Sequence, residues 1–171
     1  MRTMMMLLLA SAVAGFCQDA PKPAEPQAVA SYVWVNQNAE KLDVFMQDVA
    51  AFVEKNDHYY PATVDGQGAR VRPIKYALVA DNRLLFVITT KKEMYAQLLK
   101  NPNVELSRAA ADGTFIRYKG KAVVESDPKV RAKVVESGKK LGEDSVIFAV
   151  EPEQIGIFVK GGQAKTKIFT K

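Results

Sequence analysis

The stretch YPATVDGQGARVRPIKYAL, residues 60–78, places three cations close to a tight turn in a sequence that otherwise has the pattern of β-strands. The DGQG segment is typical of a hairpin turn, because aspartate and glycine adopt turn conformations at little cost. Since successive side chains of a strand alternate between its two faces, we expect Arg70 and Arg72 to share one face and Lys75 to lie on the other. Two arginines on one face suit a bound phosphate, and they equally suit the solvent-exposed edge of a sheet.

Apolar periodicity and turn residues predict the remaining elements. Residues 38–56 carry one apolar stripe at helical spacing, which predicts an amphipathic helix. Further helices are predicted at residues 91–100 and from Pro128 to about residue 138 or 142. Strands are expected at residues 58–64, 69–80, 83–90, 103–109, 114–125 and 145–159. Six strands joined mainly by hairpins, with three helices outside, predict a mainly β fold with flanking helices, arranged as a closed or nearly closed antiparallel barrel.

Composition limits the class of protein. The chain has 171 residues, of which 48% are hydrophobic and 25% are charged, as in one globular domain with some additional sequence. A formal net charge of +5 favours anionic partners, but no run of lysine or arginine resembles a nucleic-acid-binding arm, so no nucleic-acid partner is expected. No metal-ligand spacing, nucleophile elbow or phosphate-binding loop occurs in the sequence. We therefore expect neither a metal site nor a hydrolase.

The first residues have the layout of a secretory signal peptide. Arg2 precedes an apolar run that is too short to span a bilayer, and small residues follow. Residues 1–17 are therefore predicted to be a signal peptide, and the protein is expected to be exported, to the periplasm or out of the cell. Cys17, the only cysteine, is a candidate lipid attachment site, although Phe16 stands where lipoprotein signals have a small residue.

Three segments are predicted after the signal peptide. Residues 18–31 are rich in proline and alanine, which indicates an extended linker. Residues 32–160 are expected to form the ordered domain. Residues 161–171, which contain several lysines, are expected to be a basic C-terminal tail.

Three phrases in this order resemble one family. They are YPATVDGQGARVRPIKYAL, LLFVITTKKEMYAQLLKNPNVEL and GTFIRYKGKAVVESDP, and the likeness covers about residues 41–158. The chain resembles the pyridoxamine 5'-phosphate oxidase-like proteins, the FMN-binding split β-barrels, and among them the small members rather than the oxidase itself. The resemblance implies a six-stranded antiparallel split β-barrel that forms a homodimer and holds FMN between the two subunits.

The resemblance also implies which residues contact FMN. The family's strand motif, an arginine followed five residues later by a lysine, corresponds to Arg70 and Lys75, so the arginine pair is expected to face a phosphate. Residues between them are expected to border the flavin ring, and the next strand end and helix start offer hydroxyls, cations and a positive helix end. Arg117 is expected either to reach the partner subunit's cofactor or to lie on the surface. The implied FMN-binding residues are Arg70, Arg72, Pro73, Ile74, Lys75, Ile88, Thr89, Thr90, Lys91, Lys92 and Arg117.

The sequence departs from the vitamin-processing oxidase at its C-terminus. That enzyme grips its pyridoxal substrate with arginine and histidine residues near the end of the chain, whereas this chain ends in GIFVKGGQAKTKIFTK. The only histidine, His58, lies far upstream at a predicted strand end and is interpreted as structural. True pyridoxamine phosphate oxidase activity is therefore not expected, and no catalytic acid or base can be named.

Three functions are consistent with these patterns. The leading hypothesis is an exported, homodimeric FMN-binding flavoprotein, a flavin-dependent oxidoreductase acting on a small-molecule redox substrate that the sequence does not identify. The second is a non-catalytic module of the same fold that binds a flavin or a tetrapyrrole. The third is an interaction protein whose groove no longer binds a cofactor. Whether the protein is an enzyme stays open at this point.

Overall fold

Nine strands and three helices follow one another in the part of the chain that the computed structural model describes, residues 34–36, 42–159 and 164–169. The predicted signal peptide and linker, with Cys17, lie outside the described residues. In chain order the elements are β1 (Trp34–Asn36), α1 (Leu42–Lys55), β2 (Tyr60–Val64), β3 (Ala69–Val71), β4 (Ala77–Ala80), β5 (Arg83–Thr89), α2 (Glu93–Lys100), β6 (Asn103–Ala109), β7 (Phe115–Val124), α3 (Pro128–Glu136), β8 (Ser145–Phe158) and β9 (Ala164–Ile168).

The strand β8 organises the sheet, because it is 14 residues long and has different neighbours along its length. It pairs with β7 on one side, while on the other side its first half pairs with β5 and its second half with β9. Beyond β7 the sheet continues through β6 and β2 to β3, and beyond β5 it ends at β4. These pairs are antiparallel, whereas β1 runs parallel to β9.

The predicted class, mainly β with flanking helices, is confirmed, but the sheet is not closed into a barrel. Within the described residues no ladder joins the edge strands β3 and β4. An isolated bridge pairs Tyr59 with Ile74 in the segment between these two strands, and helix α1 packs against β4. In a closed barrel, backbone hydrogen bonds would join β3 to β4. Here the segment between them is irregular backbone.

The main core lies between α1 and the inner face of the sheet. Phe45 and Val49 of α1 are buried there, as the helical apolar stripe predicts. Phe86 and Phe148, from the paired strands β5 and β8, stack with ring centroids 5.5 Å apart. Tyr118 is buried beside them, and its hydroxyl accepts a hydrogen bond from the Leu84 amide and donates one to a β8 carbonyl. Burial raises the pKa of this tyrosine, so its hydroxyl stays protonated and able to donate.

A second, smaller core lies on the opposite face of β5 and β8. Val130 and Val134 of α3 pack there against Leu85, Ile147 and Ala149. Both faces of β5 are thus covered, which explains why this strand is an unbroken apolar run instead of an alternating one. The pairing of β5 with β8 is fixed from both sides, and the end of β5 leads directly into the candidate site.

The strand predicted at residues 69–80 is wrong as a single element. Strand β3 ends at Val71 and β4 begins at Ala77, because Pro73 has no N–H group to donate to a ladder. The three predicted helices and the bounds of β6 are confirmed. Strands β1 and β9 were not predicted, and β9 lies inside the stretch predicted as a basic tail, where it pairs with β8.

Candidate functional site

A groove of about 790 Å³ lies where irregular backbone interrupts the sheet. Four pieces of the chain surround it: the segment between β3 and β4, the end of β5 with the start of α2, the loop after α3, and the first residue of β8. The lining residues are Arg72, Pro73, Ile74, Lys75, Val87, Ile88, Thr89, Lys91, Lys92, Glu93, Met94, Lys139, Lys140 and Ser145.

The segment between β3 and β4 is held in place although it is not a strand. Ile74 exchanges two backbone hydrogen bonds with Tyr59, at 2.7 and 2.8 Å. This pairing buries the Ile74 side chain in the core and leaves Lys75 exposed at the groove. The proline that breaks the strand therefore also fixes the first wall of the site.

The second wall comes from the turn that joins β5 to α2. The Lys92 amide donates to the Thr89 carbonyl at 3.0 Å, and the Thr90 amide donates to the Asp144 carbonyl at 3.0 Å. Lys92 is the N-cap residue of α2, and no side chain caps the first turn of that helix. Unpaired N–H groups and the positive end of the helix dipole therefore lie beside the cations of the groove.

The groove is strongly cationic. Six of its lining residues carry a positive charge and only Glu93 carries a negative one. The positive residues are Arg72, Lys75, Lys91, Lys92, Lys139 and Lys140. Within the described residues Arg72 is paired with Glu93 at 3.3 Å and Lys91 with Asp144 at 2.6 Å, whereas no carboxylate pairs with Lys75, Lys92 or Lys140. Cations that lack a carboxylate partner are the ones available to an anionic ligand.

The floor of the groove is apolar. Ile74, Ile88 and Met94 are almost completely buried there, and Pro73 and Val87 are further apolar residues of the lining. A rim of cations above an apolar floor suits a ligand with a flat apolar body and an anionic tail. The donor set, ammonium groups with the amide groups of a helix start, matches a phosphate ester.

Most of the residues predicted to bind FMN line this groove together. They are Arg72, Pro73, Ile74, Lys75, Ile88, Thr89, Lys91 and Lys92. Thr90 is exposed in the same turn but does not contribute to the lining.

Arg70 lies outside the groove. Its guanidinium is bonded to the carboxylate of Asp65 in the preceding turn. The hydrogen bond from Arg70 holds the pKa of Asp65 below its usual range. Arg70 and Arg72 border a common polar depression of about 690 Å³, in agreement with the shared face expected from strand alternation, and only Arg72 also reaches the groove.

Arg117 lies on a different surface. It forms an ion pair with Glu105 at 2.7 Å on the exposed side of β6, β7 and β8. We call this surface the outer face and define it by the residues around its small cavity of about 250 Å³, which are Glu105, Arg117, Lys119, Gln154, Gly156 and Phe158. In a single chain Arg117 therefore does not share a cavity with the groove.

Several groove residues are absent from the sequence-based set. They are Val87, Glu93, Met94, Lys139, Lys140 and Ser145. Ser145 reaches the groove because it pairs with Thr89 across the β5–β8 ladder. Lys139 and Lys140 follow Gly138, which has a φ of +88° and ends the turn after α3. The only sequence signal for them is a basic pair just after a predicted helix end.

His58 lies apart from the groove lining. It has a φ of 60°, and its ring nitrogen Nδ1 lies 3.0 Å from the Asp57 carboxylate. Among the residues that the structure describes, no cluster of histidine, cysteine or acidic side chains is arranged to hold a metal ion. None of the helices in this described part is both long and apolar enough to cross a membrane.

Comparison with known families decides the relationship. Residues 45–158, more than half of the chain, match the family described as pyridoxamine 5'-phosphate oxidase. The chain belongs to this family. The resemblance noted in the sequence is thereby confirmed, and the groove lies entirely within the matched residues of this family member. No curated protein matches the chain.

Solved structures share the fold at low sequence identity. A NimC/NimA family protein from Clostridium acetobutylicum is 22% identical, with a TM-score of 0.64 over 72% of this chain and 92% of that one. An FAD binding protein from Mycobacterium smegmatis is 16% identical, with a TM-score of 0.54 over 72% and 96%. A heme binding protein from the same organism is 11% identical, with a TM-score of 0.55 over 70% of this chain and 55% of that one. These likenesses show the fold.

Proposed function

We propose that this family member is an FMN-binding flavoprotein and acts as a flavin-dependent oxidoreductase. The observation that carries the proposal is the groove, where an apolar floor adjoins several cations that have no carboxylate partner within the described residues. Family membership and a structural neighbour that binds FAD support a flavin as the ligand. FMN is the flavin with a terminal phosphate, and the donor set of the groove matches that group.

In this proposal Lys75 and Lys92 bind the phosphate, together with the uncapped first turn of α2. Both side chains are exposed, and neither forms an ion pair with another described residue, so they can move to the phosphate. Thr89 offers a hydroxyl to the ribityl chain or to the phosphate. Lys91 and Arg72 contribute less, because Asp144 and Glu93 already neutralise them.

The flavin ring packs against Pro73, Ile74 and Ile88 in this proposal. These side chains exclude water from one face of the ring, and the backbone between β3 and β4 offers polar groups to its edge. When bound, a flavin supplies reversible electron and hydride transfer, and the protein supplies orientation and electrostatics. The cations of the groove would add a positive potential around a bound flavin.

A binding experiment tests this assignment. Protein purified with its export signal is expected to bind FMN, with the yellow colour of a flavoprotein. In the double variant Lys75→Gln/Lys92→Gln, FMN affinity is expected to fall about 100-fold, since two charge-assisted contacts are lost. Riboflavin, which has no phosphate, is expected to lose less than about threefold. Equal losses for the two ligands would show that these lysines do not bind the phosphate.

The quaternary structure in this proposal is a homodimer. Arg117 of each copy then reaches the FMN of the other, after exchanging its partner Glu105 for the cofactor. The six-stranded split barrel of the family is likewise part of the proposal. Light scattering of the FMN-loaded protein checks the dimer. If the wild type is a monomer when FMN is bound and its FMN affinity is unchanged in Arg117→Gln, this arrangement is excluded.

Export completes the proposal. The signal peptide is removed during translocation. Cleavage after Cys17 removes this cysteine with the signal peptide, whereas cleavage just before it leaves Cys17 as the lipidated first residue. Mass spectrometry of the mature N-terminus distinguishes these outcomes. An unprocessed Met1 in material from the producing cell would contradict export.

A second candidate is a non-catalytic binding module for a tetrapyrrole. The structural neighbour that binds heme favours it, as does the apolar floor of the groove. Heme titration followed by absorbance decides between the two. Tight heme binding that is competed by FMN, with no flavin reduction by a nicotinamide donor, would favour the binding module over the oxidoreductase.

A further inference from the structure

The groove carries more positive charge than one phosphate requires. Of its six cations, Arg72 is offset by Glu93 and Lys91 by Asp144, which leaves four positive charges. The phosphate of FMN carries about two negative charges near neutral pH. Two positive charges therefore remain after the proposed cofactor is bound, and Lys139 and Lys140 supply them.

Lys139 is held in place by an aromatic ring. Its Nζ atom lies 5.4 Å from the ring centroid of Tyr76, and its side chain is only partly exposed. The Tyr76 hydroxyl is hydrogen-bonded to the Ser137 hydroxyl at 2.6 Å, which ties this ring to the end of α3. A cation fixed in this way loses less conformational entropy when it binds a ligand than a freely rotating surface lysine does.

The loop that carries both lysines is fixed at its far end as well. The Gly142 amide donates to the Ser145 hydroxyl at 2.9 Å, and the Ser145 amide donates to the Gly142 carbonyl at 3.0 Å. Ser145 also pairs with Thr89 of β5 in the sheet. Lys139, Lys140 and Ser145 thus enter the groove from a loop with both ends anchored, on a different part of the chain from Lys75 and Lys92.

We propose that Lys139 and Lys140, with Ser145, form a second anion subsite in the groove, for a phosphate or carboxylate group distinct from the phosphate of FMN. This inference rests on the proposed flavin function and deepens it. The anionic group belongs either to the redox substrate or to a dinucleotide flavin, whose second phosphate extends past the first. In both cases the subsite selects a ligand with an additional negative charge.

Isothermal titration with three proteins tests the subsite. They are the wild type, Lys139→Gln/Lys140→Gln, and the control Lys129→Gln/Arg131→Gln, which removes the same charge from the exposed surface of α3 outside the groove. The probes are FMN, FAD and inorganic phosphate. FMN affinity is expected to change by less than about threefold in either variant, because the first phosphate is bound elsewhere.

Two results distinguish the sources of the second anion. If it comes from the substrate, the FMN-loaded wild type binds inorganic phosphate, and Lys139→Gln/Lys140→Gln weakens that binding about tenfold while the control does not. If it belongs to the cofactor, the wild type prefers FAD over FMN, and the same double variant reduces this preference about tenfold.

The remaining outcomes either overturn the second subsite or show that flavin binding itself fails. The absence of both effects overturns the second subsite, and so does a loss of FMN affinity as large as that of Lys75→Gln/Lys92→Gln. If the wild type binds no flavin, the proposed function fails and phosphate titration of the flavin-free protein decides the subsite alone. Phosphate binding that depends on Lys139 and Lys140 then supports it, and binding that is equal in all three proteins overturns it.

Discussion

The groove and the outer face of the sheet both place lysine and arginine next to apolar side chains, yet their cations differ in what surrounds them. On the outer face Arg117 lies 2.7 Å from Glu105, and Lys119 lies 3.9 Å from Glu153. In the groove, within the described residues, Lys75 and Lys92 have no carboxylate partner. A paired cation must give up its carboxylate before it binds another anion, whereas an unpaired one binds directly. The number of cations on a surface therefore does not by itself identify an anion site, because the carboxylates that pair with them must be counted as well.

The two regions also differ in their backbone, and this difference leads to the largest expected effect. Gly120 of β7 lies where the β7–β8 register shifts, and a Cβ atom there would come within 2.0 Å of the Glu151 carbonyl oxygen. Gly120→Ala is expected to destabilise the protein by about 3 kcal/mol or more, because backbone must move to make room. Urea unfolding followed by circular dichroism measures this change.

The matched control lies in the loop at the groove. Gly142 has only the Ser145 hydroxyl near its would-be Cβ, at 3.9 Å, which is an ordinary contact. Gly142→Ala is expected to change the free energy of unfolding by less than about 0.5 kcal/mol. Similar losses for both variants would contradict the contrast between a tightly packed ladder and an open loop.

The second prediction compares the charges of the groove with those of β7, which lies outside it. Lys75→Gln/Lys92→Gln is expected to lower FMN affinity about 100-fold, and Lys119→Gln/Lys121→Gln, on β7, by less than about twofold. Each double variant removes two positive charges, so a nonspecific effect of net charge would weaken both alike. Fluorescence titration at two salt concentrations separates the cases, since a nonspecific effect is screened by salt.

Two neighbouring lysines sharpen the comparison within the groove itself. Lys91 is paired with Asp144 at 2.6 Å, whereas Lys92 has no such partner among the described residues. Lys92→Gln alone is expected to weaken FMN binding about tenfold and Lys91→Gln about twofold. In Asp144→Asn, which frees Lys91, FMN is expected to bind somewhat more tightly. If Lys91→Gln were the more damaging change, pairing would not be what decides the site.

The sequence predicted the parts of this site that depend on local pattern. The turn at residues 65–68, the end of β5 and the start of α2 follow from glycine, apolar runs and cations read along the chain. Most of the predicted groove residues therefore line one cavity. The expectation that these separate segments lie together around one cofactor came from the family resemblance.

The rest of the site depends on contacts between distant segments. Arg117 pairs with Glu105, 12 positions earlier in the chain, because the β6–β7 register brings them together. Lys139 and Lys140 reach the groove because β5 pairs with β8, which joins residues more than fifty positions apart. Neither periodicity nor composition encodes such registers, so the pairing of each cation could not be predicted from the sequence.

The smallest expected effect concerns Arg70, the cation that lies outside the groove. The hydrogen bond from Arg70 lowers the pKa of Asp65 below its ordinary value of 3.8. A carboxylate whose pKa is lower in the folded protein adds stability at pH values above its unfolded pKa, and this contribution disappears as the pH falls through the folded pKa. Arg70→Gln is therefore expected to lower the Tm slightly at pH 7, and this difference is expected to shrink as the pH falls through the folded pKa of Asp65.

A salt titration distinguishes this ion pair from a carboxylate that is bonded to the backbone. The pKa of Asp112 is also lowered, first of all by the Thr114 amide, and no charged group among the described residues contributes to this shift. High salt is expected to abolish the Tm difference caused by Arg70→Gln, since the pair is exposed and salt screens it. The difference caused by Asp112→Asn is expected to persist. If high salt left the Tm difference of Arg70→Gln unchanged, Arg70 would stabilise the protein through packing of its side chain. A paired cation would then contribute to stability by more than its charge.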